Sequence, residues 1–322
     1  MTTAYVHIGV ARSGTTTIAK FLRLNRERLR ERGVLYPAVD GGTPYSALRA
    51  GAAETHRFQT DLLCEIEETK PNSIILSDEH LYGHLMQDGV EALRLLLSNC
   101  CDRVVISCYV RRQDEMMLSA WAYRVLWNQF KEPFSLPPPE KIAAWEYYTR
   151  LALWRSVFGD VVVRRYGPTY FVGGDLLTDH VSTLGLSMEG LERCPPQNQS
   201  LDAPRLEFLR RYNAITPDPL QPPFGELMRR GLLAGSGDGP RPGLSRAVRQ
   251  EILDVLDATN RKVAVEFLGL DGPLFDHPVP DDPPVEPTTE QACAATADIL
   301  RHFAAFLDRD AAEKACAAAW LG

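Results

Sequence analysis

The stretch Val6 to Thr17, VHIGVARSGTTT, constrains this chain more than any other. A short apolar run, Ala4 to Ile8, reads as a strand. Gly9 to Gly14 makes a tight turn. From Thr15 the apolar spacing becomes helical, with Ile18, Phe21, Leu22 and Leu24 on or near one face. A strand, a glycine-bounded loop and a helix N-terminus together form a phosphate cradle, because backbone N–H groups and the positive end of the helix dipole point at the anion. The loop spacing is GxxxxG, followed by Thr15-Thr16. A Walker loop needs a lysine after its second glycine to reach the β- and γ-phosphates. Here Thr15 stands in that place and Arg12 is the cation of the loop. That argues against a standard nucleotide triphosphatase and suits an anion held by N–H groups, hydroxyls and one guanidinium. The competing reading is a Gly-Thr turn opening a helix that Ser13 or Thr15 caps.

At 322 residues the chain is long enough for one large core or two small ones. A net charge of −7 gives no general reason to expect nucleic acid, yet leaves room for a local basic pocket. The seven cysteines show no CxxC spacing, which predicts mostly reduced core thiols in a cytoplasmic protein. No apolar run reaches transmembrane length. The first strand begins almost at once, which leaves no room for a signal peptide.

Strands and helices alternate along the chain, which predicts an α/β fold with a central parallel sheet between helical layers. The first helix is expected to run from Thr15 to about Gly33. It carries Lys20, Arg23, Arg26, Arg28, Arg30 and Arg32. These form either a basic face for an acidic acceptor or a solvated helix surface. Residues 40–56 read as a Gly-rich loop over one end of the sheet, and Phe58 to Thr69 as a helix. The second strand, Ser73 to Leu76, ends in Ser77-Asp78-Glu79-His80. Ligands of parallel sheets sit beyond the carboxyl ends of strands. Asp78, Glu79 and His80 are therefore a candidate general-base site. Alternatively, Asp78 or Ser77 caps the next turn and His80 packs locally.

Gly89 to Asn99 reads as a helix, and Arg103 to Val110 as a buried strand of β-branched residues. At the end of that strand come Arg111 and Arg112, then a helix bearing Ser119, Trp121, Tyr123 and Trp127. An arginine and a hydroxyl converging there would hold a second phosphate. The alternative is an arginine paired with Asp114 or Glu115. Further helices are expected over Glu140 to Phe158, Asp175 to Leu184, Leu201 to Tyr212 and Leu244 to Leu268, with a fourth strand over Val161 to Tyr166. The predicted organisation is a domain over residues 1–277 with a Pro- and Gly-rich lid or insert at 215–243. A proline-acid linker follows at 278–287, then an Ala-rich helical tail at 288–322. The tail would pack on its own body or form a homodimer.

The loop ARSGTTT, the strand–helix junction YVRRQDEMMLS, the later NQSL and the closing GPLF together resemble bacterial sulfotransferases that use 3′-phosphoadenosine 5′-phosphosulfate. The resemblance covers roughly residues 5–275. It implies a three-layer α/β/α, P-loop NTPase-like sulfotransferase architecture. It also implies that Arg12, Ser13, Gly14, Thr15, Thr16 and Thr17 hold the 5′-phosphosulfate. The family's usual loop has Lys where this chain has Arg12; several carbohydrate sulfotransferases have RSG there. The family's 3′-phosphate motif is an Arg followed eight positions later by Ser, which Arg111 and Ser119 match. Its general base is a Glu or His after a central strand, matched by Glu79, the first choice, and His80. The implied acceptor is a hydroxyl (or amine) of a glycan, lipid headgroup or small metabolite, with no metal and no nucleic acid involved. The alternatives are an atypical P-loop kinase or other phosphotransferase, and a non-catalytic nucleotide-binding protein of the same fold.

Overall fold

A computed structural model of the chain describes residues 2–38, 43–127, 130–194, 200–215, 224–236, 239–284 and 287–320. The described residues form two compact units, each built from several segments of the chain. The first unit comprises residues 1–116, 138–198 and 253–278. It holds a five-stranded sheet of β1 (Thr3–His7), β2 (Val34–Leu35), β3 (Ser73–Ser77), β4 (Arg103–Val110) and β5 (Val161–Arg165). Their order is β2-β3-β1-β4-β5, and every pairing is parallel. The chain is thus an α/β protein around a parallel sheet, as expected. The two-residue β2 was not foreseen, so the expected fourth strand is the fifth.

Alternation along each strand sorts side chains between the two faces. Ala4, Val6, Ile74, Leu76, Ile106, Cys108 and Val110 enter one buried cluster. Ile75 and Tyr109, from the same strands, enter the other. The second face is covered by α1 (Thr15–Leu24), α2 (Arg26–Arg30) and, later in the chain, Leu176–Thr183, through Ile18, Phe21, Leu22, Leu29, Leu177 and Val181. The first face is covered by α3 (Pro44–Ala50), α4 (Ala52–Thr69), α5 (His80–His84), α6 (Gln87–Ser98) and the helix Tyr148–Phe158.

Several expected elements are corrected. The single helix to Gly33 breaks at Asn25, whose side-chain amide donates to the carbonyls of Phe21 (2.9 Å) and Glu192 (2.8 Å). The expected loop at 40–56 is mostly helix; residues 39–42 lie outside the described residues. Thr43 opens α3 with a capping box to Ser46 and a proline at the first helical position. The expected helix from Glu140 splits into Pro139–Ala143 and Tyr148–Phe158.

The second unit comprises residues 117–137, 199–252 and 279–322, so segments assigned to the first domain belong with the tail. The reason is a separate apolar core, built from Val125, Leu206, Leu209, Met228, Leu232, Ala295 and Ile299. The helix Phe224–Ala234, inside the expected insert, lies along the tail helix Thr289–Trp320. Gly231 permits the close approach: a Cβ there would stand 3.0 Å from the Cα of Ile299. The first part of the tail therefore packs on its own chain. Residues 216–223 and 237–238 of the insert, and Asn198-Gln199 of the NQSL motif, lie outside the described residues. The expected linker at 278–287 is tied down through Asp282, which takes a 2.7 Å ion pair from Arg249.

Candidate functional site

The strands deliver their carboxyl ends to one edge of the sheet. His7 is level with Ser77 of β3 and Ser107 of β4. Strand β4 continues three residues beyond that level to Val110, an overshoot of about 10 Å at the usual rise per residue. From β1 the chain turns toward β2 and β3 on one side, while β4 and β5 lie on the other. This reversal in strand order is where open α/β sheets bind ligands.

The loop after β1 takes a conformation that its residue types explain. Gly9 (φ +73°) and Gly14 (φ +85°) are left-handed, and so is Arg12 (φ +65°). For a non-glycine residue that costs about 1–2 kcal/mol. Gly9 is also needed for space, because a Cβ there would fall 2.5 Å from the Cα of Glu79. The cap of the competing reading is absent: Gly14 is the N-cap of α1, with no side-chain cap hydrogen bond. The Ser13 hydroxyl instead donates to the Val10 carbonyl at 2.5 Å. Thr15, 5% exposed, keeps a buried hydroxyl with no hydrogen-bond partner. A buried polar group left unsatisfied costs about 1–3 kcal/mol, so it is the kind of atom a ligand satisfies. Thr16 is exposed and Thr17 half-buried on the first turn.

Arg111 and Arg112 leave β4 in different directions. The Arg111 guanidinium donates to the carbonyl of left-handed Arg12 at 3.1 Å, across 99 residues of sequence. It also pairs with Glu115 (3.3 Å) and lies 5.2 Å from the centroid of the Tyr166 ring. Its backbone is held by buried Tyr147, whose hydroxyl donates to the Arg111 carbonyl at 2.6 Å and accepts its N–H at 3.3 Å. Burial pushes the Tyr147 phenol well up, so this hydroxyl stays a donor. Arg112 is buried and spends its donors on Asp114 (2.7 and 3.1 Å) and the carbonyls of His277 and Pro278 (both 3.1 Å). The pairing reading thus describes Arg112, while Arg111 combines a carboxylate partner with a position on the loop. Glu115 is shared with Arg112 (3.4 Å) and His277 (3.0 Å), so Arg111 does not take its whole charge.

At the end of β3, Asp78 is buried and His80 and Glu79 are exposed. Asp78 is stitched to β1 by its N–H, which donates to the His7 carbonyl at 3.0 Å. Its Oδ1 faces the backbone N–H (3.0 Å) and Nδ1 (3.2 Å) of His80. Its Oδ2 accepts the N–H of Tyr45 at 3.1 Å. The Tyr45 ring stacks on His80 at 5.3 Å and 16°. Tyr45 was missed because its segment read as loop; Thr43-Pro44 was the available helix-start signal.

Beneath the loop lies a second pair of imidazoles that the sequence reading did not single out. His7 and His180 are buried, with ring centroids 5.5 Å apart. His7 Nδ1 meets the Ser77 hydroxyl at 3.0 Å; His7 Nε2 and both nitrogens of His180 have no partner. Burial drives the His180 pKa down to about 4, and burial with the neighbouring His180 lowers His7 well below its ordinary value. Both are therefore neutral near pH 7. Next to them Asp179 accepts from Tyr109 (2.7 Å), Arg164 (2.6 Å) and the Val172 N–H (2.9 Å). Burial alone would raise this carboxyl, but those donors hold it below the usual carboxylate range.

The remaining expected features lie elsewhere. Ser119 sits on the helix Gln113–Trp127, in its second-unit part. Trp121 and Trp127 are engaged inside that unit, with the Glu132 carbonyl (3.1 Å) and the Arg229 guanidinium (5.1 Å). Three members of the basic run are engaged within the first unit. Arg26 donates to the carbonyls of Tyr36 and Pro37 (both 3.0 Å), Arg28 pairs with Glu192 (3.2 Å), and Arg32 donates to the Ser187 carbonyl (3.1 Å). Among the described residues, no three or more His, Cys, Asp or Glu side chains converge as a metal-holding group. None of the described helices is long and apolar enough to cross a membrane. Comparison with family models, curated proteins and solved structures returns no match to this chain.

Proposed function

We propose that the protein is a sulfotransferase that takes a sulfuryl group from 3′-phosphoadenosine 5′-phosphosulfate and moves it to a hydroxyl (or amine). The acceptor would be a glycan, lipid headgroup or small metabolite. The observation that carries this reading is the hydrogen bond from Arg111 to the Arg12 carbonyl. It joins the loop ARSGTTT to the strand–helix junction YVRRQDEMMLS at the sheet edge where open α/β sheets bind ligands. The uncapped start of α1 and the partnerless Thr15 hydroxyl support an anion in the loop.

In this reading the donor supplies an activated sulfuryl group with a phosphate as leaving group. Residues 12–17 bind the 5′ end through N–H groups, hydroxyls and the Arg12 guanidinium. Arg12 offsets the charge that develops on the departing phosphate. Arg111, its backbone fixed by Tyr147, binds the 3′-phosphate. A base at the end of β3, Glu79 or His80, takes the acceptor proton. As in phosphoryl transfer, positioning and charge stabilisation supply most of the acceleration.

Calorimetric titration with 3′-phosphoadenosine 5′-phosphate, against 5′-AMP and ATP with Mg²⁺, tests the reading. Selective binding of the 3′-phosphorylated compound is expected. Preference for ATP would replace the reading with a phosphotransferase, and binding of none would remove its basis. Binding without any release of product from the donor would leave a non-catalytic nucleotide-binding protein.

A further inference from the structure

The carboxyl end of β3 distinguishes between its two candidate bases. A carboxylate only accepts hydrogen bonds, so the 3.2 Å contact from His80 to Asp78 makes His80 Nδ1 the donor. That places the imidazole proton on Nδ1 and leaves the Nε2 lone pair pointing away from Asp78. The carboxylate is itself fixed. It is buried, its backbone is bonded to β1, and its second oxygen accepts the Tyr45 N–H. The Tyr45 ring closes one face of the imidazole. The His80 side chain nonetheless remains 51% exposed, so a substrate can reach it. Its neighbour Glu79 packs its Cα against Gly9, which puts this turn directly beside the anion loop.

We propose that Asp78 and Tyr45 are positioning residues for His80, and that His80 Nε2 is the proton acceptor of the transfer; this rests on the sulfotransferase reading above. The acceptor oxygen forms its bond to sulfur while its proton passes to Nε2. The bond from sulfur to the nucleotide phosphate breaks, and its electron pair leaves with the phosphate. Asp78 stabilises the imidazolium that results. Asp78 and Tyr45 come from segments 33 positions apart, and only the folding of α3 against the end of β3 joins them.

The test uses water as the acceptor, so no native acceptor is needed. Release of 3′-phosphoadenosine 5′-phosphate from the donor is followed across pH for the intact protein and its variants. Affinity for that product is measured in parallel, and the ¹⁵N spectrum of the histidines reports the His80 tautomer. His80→Ala is expected to lower turnover by about 10²-fold or more with product affinity kept, the scale of a lost general base. Asp78→Asn is expected to cost roughly tenfold and to move the pH profile, with the Nδ1–H tautomer lost. Tyr45→Phe should retain the rate that Tyr45→Ala loses. Wild-type turnover in His80→Ala, or a larger loss in Glu79→Gln, would overturn the proposal while product binding kept the sulfotransferase reading alive. A His80 proton found on Nε2 in the wild-type protein would overturn it without any variant. Failure of the product to bind would remove the parent reading and this proposal together.

Discussion

Two pairs of histidines in the first unit lie in opposite surroundings. His80 and His84 stand at the mouth of the sheet, 5.4 Å apart, with their Nδ1 atoms facing Asp78 and the His80 carbonyl. His7 and His180 lie below, at nearly the same separation, with three of their four ring nitrogens lacking any partner. Proton acceptance depends on these surroundings more than on the side chain. Asp78 stands behind one exposed imidazole, whereas burial without acceptors keeps the lower pair neutral. The neighbouring arginines divide the same way. Arg112 is consumed by internal partners, while Arg111 reaches the loop.

Four measurements would break or sharpen this contrast. The largest effect is expected from Arg112→Ala, which takes a two-point guanidinium partner from the buried Asp114 carboxylate; a loss of about 3–5 kcal/mol should appear in denaturant unfolding. A change under 1 kcal/mol would mean that Arg112 is not the structural member of the pair. Next comes the pH dependence of stability. His7 and His180 have folded pKa values below the unfolded one, so the unfolded chain binds more protons in acid. Stability should be unaffected by them above about pH 6.5 and fall between there and about pH 4, by about 3 kcal/mol for His180. His180→Phe should flatten that fall; an unchanged acid limb would show that the imidazole is not buried and neutral.

Arg111→Ala should weaken binding of 3′-phosphoadenosine 5′-phosphate by about 2–3 kcal/mol, the scale of a lost charge-assisted contact, with little change in melting temperature. Equal affinity would take Arg111 out of the site. The smallest effect is expected from Thr15→Val. It replaces a hydroxyl without partners by a methyl group, so folding stability should hold or rise slightly, while affinity for the same nucleotide falls by about 1 kcal/mol. If affinity held, the Thr15 hydroxyl would not face the ligand.

Much of the sheet and the loop was legible because their signals are local. β-branched runs mark β1, β3 and β4, and the spacing Gly9 to Gly14 marks the turn between strand and helix. Parallel order also follows from alternating strands and helices. Three features were not legible. Strand β2 is two residues long and exists only because β3 pairs with it. Helix α3 was obscured by its glycine-rich flank, and with it Tyr45. The break at Asn25 depends on a partner 167 positions away, Glu192.

Residue type and spacing alone placed a glycine-bounded loop between a strand and a helix at the start of the chain, positively charged groups after β4 and ionisable groups after β3. They did so because backbone geometry near glycine and the direction of a parallel strand are short-range properties. Spacing could not say which arginine is spent inside the unit, which acid orients which histidine, or that the helix at 224–234 belongs with the tail. Those choices depend on which groups lose water together, and that is settled only when distant segments meet.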